Sequence, residues 1–161
     1  MSERAVVLLG SNIDPARNLP LGAERLQALG ATRFSKVYRS KAMGGGPDFM
    51  NAAALLWTDL DPAALRERLR EIERDLGRVR GPDRNAPRTL DLDLVLYGAL
   101  AAPELGVPDA DLLVWSHVAV PAAEVAGDLP HPLTGESLFA IALRLVEFEP
   151  LEHRPEVGLA R

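Results

Sequence analysis

At 161 residues the chain has the length of one ordinary domain, and its 47% apolar and 25% charged residues suit a folded globular protein rather than a disordered one. It has no cysteine, which excludes a disulfide scaffold, a thiolate metal site and a cysteine nucleophile. A net charge of −5 argues against general nucleic-acid binding, which leans on neutralising phosphates, and no apolar run approaches the ~20 residues a membrane span needs. The expectation is one domain over 1–161, a monomer of the cytoplasm with neither nucleic acid nor membrane as partner.

In chain order, residues 5–9 form a continuous apolar run that ends in Gly10-Ser11-Asn12. It reads as a buried strand and is too short for a signal-peptide core. Asn18, Leu19 and Pro20 predict a helix start, Leu21, Leu26 and Leu29 a partial apolar stripe, and Gly30 a stop. Residues 32–39 alternate, with Phe34 and Tyr38 on either side of Lys36, and predict one strand. Gly44-Gly45-Gly46-Pro47 excludes regular structure, and a strand resumes over about 50–58. The next helix has Asp61 as cap, Pro62 in its first turn and Gly77 at its end, with Leu65, Leu69, Ile72 and Leu76 as one buried stripe. Residues 89–97 read as a strand closed by Gly98. Beyond it, Pro103, Pro108, Pro121, Pro130 and Pro132 interrupt helices near 110–125 and 136–146, and the tail from Glu149 reads as loosely held. The order β-α-β-β-α-β predicts an α+β fold: a ferredoxin-like antiparallel sheet with helices on one face, plus C-terminal helical extensions.

The basic residues are 16 arginines and only two lysines, Lys36 and Lys41. Arg74, Arg78, Arg80, Arg84 and Arg88 fall within residues 74–88 beside only two acids, Asp75 and Asp83, so that window carries +3 and the rest of the chain −8. A basic focus in an acidic chain points to a small anionic ligand.

On a strand, residues i and i+2 share a face, so Asp91 and Asp93 project together while Leu90, Leu92, Leu94 and Leu96 line the opposite, core face. Two adjacent carboxylates repel, and a divalent cation between them relieves the conflict; Mg²⁺ characteristically takes one or two carboxylates and completes its shell with water and phosphate. The plainer alternative is a pair of solvated aspartates. Arg78, Arg80, Arg84 and Arg88 upstream favour the phosphate reading, since guanidinium groups take outer phosphate oxygens. Glu73 lies at the border of the Leu69/Ile72/Leu76 stripe and suits either an ion pair with Arg66 or Arg70 or a place in the site. His117, His131 and His153 have no metal-ligand spacing, and no phosphate-binding G-x-x-x-x-G-K-[ST] loop is present.

Gly77-Arg78-Val79-Arg80 followed by Pro87-Arg88-Thr89-Leu90-Asp91-Leu92-Asp93 resembles the signature of the 6-hydroxymethyl-7,8-dihydropterin pyrophosphokinases of folate biosynthesis. Gly10-Ser11-Asn12, Tyr38-Arg39-Ser40 and Asp48-Phe49-Met50-Asn51-Ala52 resemble further family segments in the right order, and the likeness covers roughly 5–146. The resemblance implies transfer of the β,γ-pyrophosphoryl group of ATP to the pterin hydroxymethyl, with AMP released. It further implies that Asp91 and Asp93 hold a pair of Mg²⁺ ions, and that Arg78 and Arg88 stabilise charge during transfer. Ser40, Met43, Phe49 and Asn51 would bind the pterin, and Glu73, Arg80, Arg84 and Arg88 the nucleotide. The loop 78–87 would close as a lid.

The chain departs from the family pattern where Pro108-Asp109 stands for Pro-His, Trp115 and His117 for an arginine and an aromatic, and Asn85 for a loop tryptophan. His117 suits stacking in place of the lost aromatic, and Trp115 reads as core. A non-catalytic pterin- or nucleotide-binding member of the same fold is the alternative that these losses raise. A ferredoxin-like RNA binder is disfavoured by the acidic charge and the 5% aromatic content.

Overall fold

A computed structural model describes residues 2–159; Met1, Ala160 and Arg161, at the ends of the expected 1–161 unit, lie outside the described residues. The apolar run belongs to β1 (Glu3–Ser11), which lies in a six-stranded sheet between β4 (Phe49–Thr58) and β5 (Asp91–Tyr97), antiparallel to both. Ala5, Val7 and Leu9 enter one core and Val6 the other, which is why the run is apolar without alternation. β2 (Thr32–Phe34) and β3 (Tyr38–Ser40) both pair with β4, and a short β6 (Glu152–His153) adds to β3. α1 (Pro15–Gln27) and α2 (Pro62–Asp75) bury Leu19, Ala23, Leu26, Leu65, Leu69 and Ile72 in the first core. α3 (Ser116–Ala126) and α4 (Leu138–Val146) bury Val118, Ala122, Leu138 and Ile141 in the second. The α+β class with an antiparallel sheet stands as expected, the order up to β5 is βαβββαβ because the expected second strand is two, and the C-terminal extension is a second helical layer on the opposite face of the sheet. Among the described residues no helix is long and apolar enough to cross a membrane.

The sequence signals around α2 hold closely. The Asp61 side chain accepts from the Ala64 N–H at 2.8 Å. At the other end Gly77 takes φ +89°, its N–H donates to the Arg74 carbonyl, and the Arg78 N–H donates to the Glu73 carbonyl. Those paired bonds satisfy the last carbonyls of the helix and turn the chain so that Arg78 comes back over α2.

Four expectations are corrected. α1 starts at Pro15 rather than near Asn18, because Pro15 supplies the first-turn proline; Pro20 lies inside the helix, which ends at Gln27, short of Gly30. The single strand over 32–39 is split, because the Ser35 hydroxyl accepts from the Ala53 N–H at 2.8 Å and the register against β4 slips by one residue between β2 and β3. The four leucines of β5 do not share a face. Val6 lies opposite Leu96 and Val7 opposite Leu94, so Val95 is an extra residue, and Leu96 joins Val95 in the α3/α4 core while Leu90, Leu92 and Leu94 face α1 and α2. Finally, the tail is anchored: β6 pairs with β3, the Arg154 N–H donates to the Val37 carbonyl at 2.8 Å, and Val157 is buried.

Candidate active site

Asp91 and Asp93 open β5 on the face that turns towards α3, opposite Gly10 and Leu8 of β1. Both oxygens of Asp91 are taken: Arg78 Nη1 donates to Oδ1 and Arg88 Nη1 to Oδ2, each at 2.8 Å. Burial alone would raise the Asp91 carboxyl, but the two guanidinium groups overcome it and hold it below the usual carboxylate range. Asp93 has no ion-pair partner among the described residues. Its carboxylate opens to the cleft but stands deep in the surrounding protein; that desolvation, with Asp91, Asp109 and Glu73 nearby, pushes it up to about 7.

Glu73 is more deeply placed than its position at the border of the stripe suggests, at 2% exposure. β5 is the edge strand of the sheet, and Glu73 Oε2 accepts its Leu92 N–H at 2.8 Å, satisfying a backbone donor that has no neighbouring strand. Its ion pairs are with Arg80, at 2.7 Å, and Arg78, at 3.5 Å, and not with Arg66 or Arg70. Burial pushes the Glu73 carboxyl up, ahead of the hydrogen bond and arginines that oppose it. The arginine loop is tied to both aspartate and sheet: Arg88 N–H donates to Asn12 Oδ1 at 2.7 Å, and Asn12 N–H returns a bond to the Arg88 carbonyl at 3.1 Å. Asn12 Nδ2 also reaches the Pro47 carbonyl at 3.1 Å, joining this loop to the glycine-rich one.

Two cavities meet at the aspartates. The larger, about 710 Å³, is lined by Ser40, Met43, Phe49 and Asn51, the residues expected to hold a pterin. The smaller, about 410 Å³, is lined by Glu73, Arg78 and Arg80, those expected on the nucleotide side. Arg84, Arg88, Asp91 and Asp93 line both. In the larger cavity Asn51 Nδ2 donates to Ser40 Oγ at 2.7 Å, which fixes the amide across the β3/β4 pair. Gly10 stands where these groups converge: a Cβ built there would lie 3.4 Å from Asn51 Oδ1, 3.7 Å from Phe49 Cδ1 and 4.0 Å from Asp91 Cβ. The missing side chain leaves the floor between Asp91, Phe49 and Asn51 open. Met43 is 60% exposed and Val79, in the arginine loop, 84%, so both rims carry apolar side chains free to be covered.

The altered segment also reaches the site. Asp109 lines the smaller cavity, with burial raising its carboxyl, and Trp115 and His117 line the larger one. Trp115 is half-buried against the second core and stacks on His117, ring centroids 5.9 Å apart and 29° between planes, so it is both core edge and cavity wall. Gly10, Asn12 and the tail residues Glu149, Leu151 and Glu152 take part without having been singled out as site residues. Gly10 and Asn12 carried a signal in the Gly10-Ser11-Asn12 step after β1. The tail carried none, because its contacts are non-local and its composition resembles a solvated end.

A family model described as 7,8-dihydro-6-hydroxymethylpterin-pyrophosphokinase (HPPK) matches residues 6–127. The chain is 37% identical over 163 residues to the 2-amino-4-hydroxy-6-hydroxymethyldihydropteridine pyrophosphokinase of Pseudomonas aeruginosa, covering 96% of this chain and 99% of that one. It is 38% identical to the enzyme of that name from Synechocystis, over 85% of this chain and 73% of the relative. The crystal structure of Plasmodium falciparum HPPK-DHPS with pteroate superposes with a TM-score of 0.74 at 9% identity over 91% of this chain, which shows the shared fold. This chain spans 45% of the length of that longer protein. From the family match and these relatives, the chain belongs to the 7,8-dihydro-6-hydroxymethylpterin-pyrophosphokinase (HPPK) family.

Proposed function

We propose that this chain transfers the β,γ-pyrophosphoryl group of ATP to the hydroxymethyl oxygen of 6-hydroxymethyl-7,8-dihydropterin, giving the pterin diphosphate and AMP. The observation that carries the reading is the shared wall: a cavity lined by Ser40, Phe49 and Asn51 and a second lined by Glu73, Arg78 and Arg80 meet at Asp91 and Asp93. An acceptor on one side and a triphosphate on the other would meet there.

The donor set suits magnesium. Asp91 and Asp93 offer hard oxygen ligands on one face, and the acids crowding Asp93 leave a surplus of negative charge that a cation relieves. Mg²⁺ takes one or two carboxylates and completes its shell with water and phosphate, so two aspartates are enough for the protein's share of the ligands. Asp91 and Asp93 would hold a pair of Mg²⁺ ions, which when bound neutralise phosphate charge as it shifts towards the leaving group.

The residues of the chain do the rest by position and charge. Arg78 and Arg88 exchange their bonds to Asp91 for phosphate oxygens, so the same guanidinium groups that now neutralise an acid stabilise charge during transfer. Glu73 keeps Arg80 and β5 in place through its buried bonds. Asn51 and Ser40 read the polar edge of the heterocycle, and Phe49 packs on its face. The loop 78–87, exposed over most of its length and linked to the glycine-rich loop through Asn12, closes over the phosphates and excludes water. The demand for ATP supports a place in the cytoplasm. Incubation with ATP, Mg²⁺ and the pterin yields AMP in step with pterin diphosphate; binding of both ligands with no AMP formed would favour the non-catalytic alternative instead.

A further inference from the structure

The larger cavity is not closed by the sheet and α3 alone. Glu149, Pro150, Leu151 and Glu152 from the C-terminal tail form part of its lining. This stretch is pinned at both ends. At its start the hydroxyl of Ser116, fully buried, donates to the Glu149 carbonyl at 2.5 Å. At its end Arg39 pairs with Glu152 at 3.0 Å, and the His153 ring meets Tyr38 at a tilt, with centroids 5.9 Å apart and 49° between planes. Between these anchors the Glu149 carboxylate turns inward, and its Oε1 lies 3.3 Å from His117 Nδ1. His117 in turn lies flat against Trp115 at the cavity wall. A histidine ring at a cavity edge has free rotation about χ2 unless a partner fixes it. Here one face is set by Trp115 and the ring's spin by Glu149, as a carboxylate orients an imidazole elsewhere by accepting its Nδ1–H.

We propose that residues 149–152 are a wall of the acceptor cavity and that Glu149 is a positioning residue, holding the His117 ring as a surface on which the flat heterocycle packs. This rests on the reading of the larger cavity as the acceptor site. It assigns the tail a part in substrate fit and leaves the phosphate chemistry at Asp91 and Asp93 untouched.

The test uses the full chain and compares Glu149→Ala, Glu149→Gln, His117→Phe and His117→Phe with Glu149→Ala. Pterin affinity is read by the ligand's own fluorescence, and KM for each substrate and kcat by AMP release. Glu149→Ala is expected to weaken pterin binding and raise its KM about tenfold, the scale of losing a charge-assisted hydrogen bond. KM for ATP should stay as it was. Glu149→Gln, whose amide oxygen still accepts from Nδ1, should restore pterin binding. In the His117→Phe background the alanine change should have no further effect, since a phenyl ring has no bond to lose. If Glu149→Ala fails to fold, Glu149→Met, which keeps the aliphatic stem but has no carboxylate for His117 or Ser116, replaces it. Unchanged pterin affinity in Glu149→Ala or Glu149→Met, or an equal loss with and without His117, overturns the inference. Absence of AMP from the unaltered chain would count against the pyrophosphokinase reading alone, because the binding measurement needs no turnover.

Discussion

Arg78 and Asp91 are 13 residues apart in the chain, yet Nη1 donates to Oδ1 at 2.8 Å, and the arginine is 7% exposed. The relationship follows from the glycine turn at Gly77, which sends Arg78 back across α2 to the start of β5. Arg78 also donates to the Leu90 carbonyl at 3.3 Å. Removing it therefore has two consequences. Arg78→Ala should cost about 1–3 kcal/mol of stability in denaturant titration, for lost charge-assisted bonds, and should lower kcat about a hundredfold, for a lost charge stabiliser.

Glu73 ties α2 to β5 and to the arginine loop beside the smaller cavity. Glu73→Ala strands the Leu92 N–H and takes one acid from the buried Arg78 guanidinium, and should destabilise the fold by about 1–3 kcal/mol, as expected when a buried hydrogen-bond acceptor is deleted. Glu73→Gln keeps an acceptor for Leu92 and should lose distinctly less. Equal melting temperatures for the alanine variant and the unaltered chain would contradict this role.

Gly10→Ala separates folding from function. The added Cβ meets its neighbours at ordinary contact distances, so the melting temperature should hardly move, while the methyl enters the floor between Asn51, Phe49 and Asp91. Turnover should fall, with the pterin KM rising more than the ATP KM. A variant as active as the parent would place the acceptor elsewhere.

Away from the site, His131 provides a stability change with pH. It is buried, and its Nδ1 accepts from the Leu133 and Thr134 N–H groups at 3.1 and 3.3 Å, which an imidazolium could not do. Burial, only partly opposed by Glu136, lowers its affinity for a proton below the ordinary value of about 6.5. The unfolded chain then binds more protons just below that pH, so stability should fall as pH drops from about 6.5 towards the folded value and level off beneath it. His131→Asn, whose side-chain oxygen can accept the same bonds, should flatten that part of the curve.

Much of this architecture is legible in local sequence. The apolar run at residues 5–9, the stripe and caps of α2 and the Asp91/Asp93 step each specify their element through nearest neighbours. What escapes is set by contacts distant in the chain. The extra residue at Val95, which moves Leu96 to the other core, depends on register with β1 and leaves no mark in an alternating Leu-x-Leu pattern. The break at Ser35 depends on a hydroxyl reaching β4. The acids and arginines expected at the site do come together, because the loop that carries the arginines runs directly into the strand that carries the aspartates. The burial of Glu73 and the reach of the tail come from packing, which composition alone does not show.

The most direct test of the account is metal binding to Asp93→Ala in the presence of a non-hydrolysable ATP analogue, read by calorimetry or by Mn²⁺ paramagnetic resonance, beside AMP release. Removing one of several crowded acids should leave the melting temperature equal or higher, while nucleotide-dependent metal binding weakens and turnover disappears. Near-normal AMP release from Asp93→Ala, or metal uptake that ignores the substitution, would contradict the claim that these carboxylates hold magnesium between nucleotide and pterin.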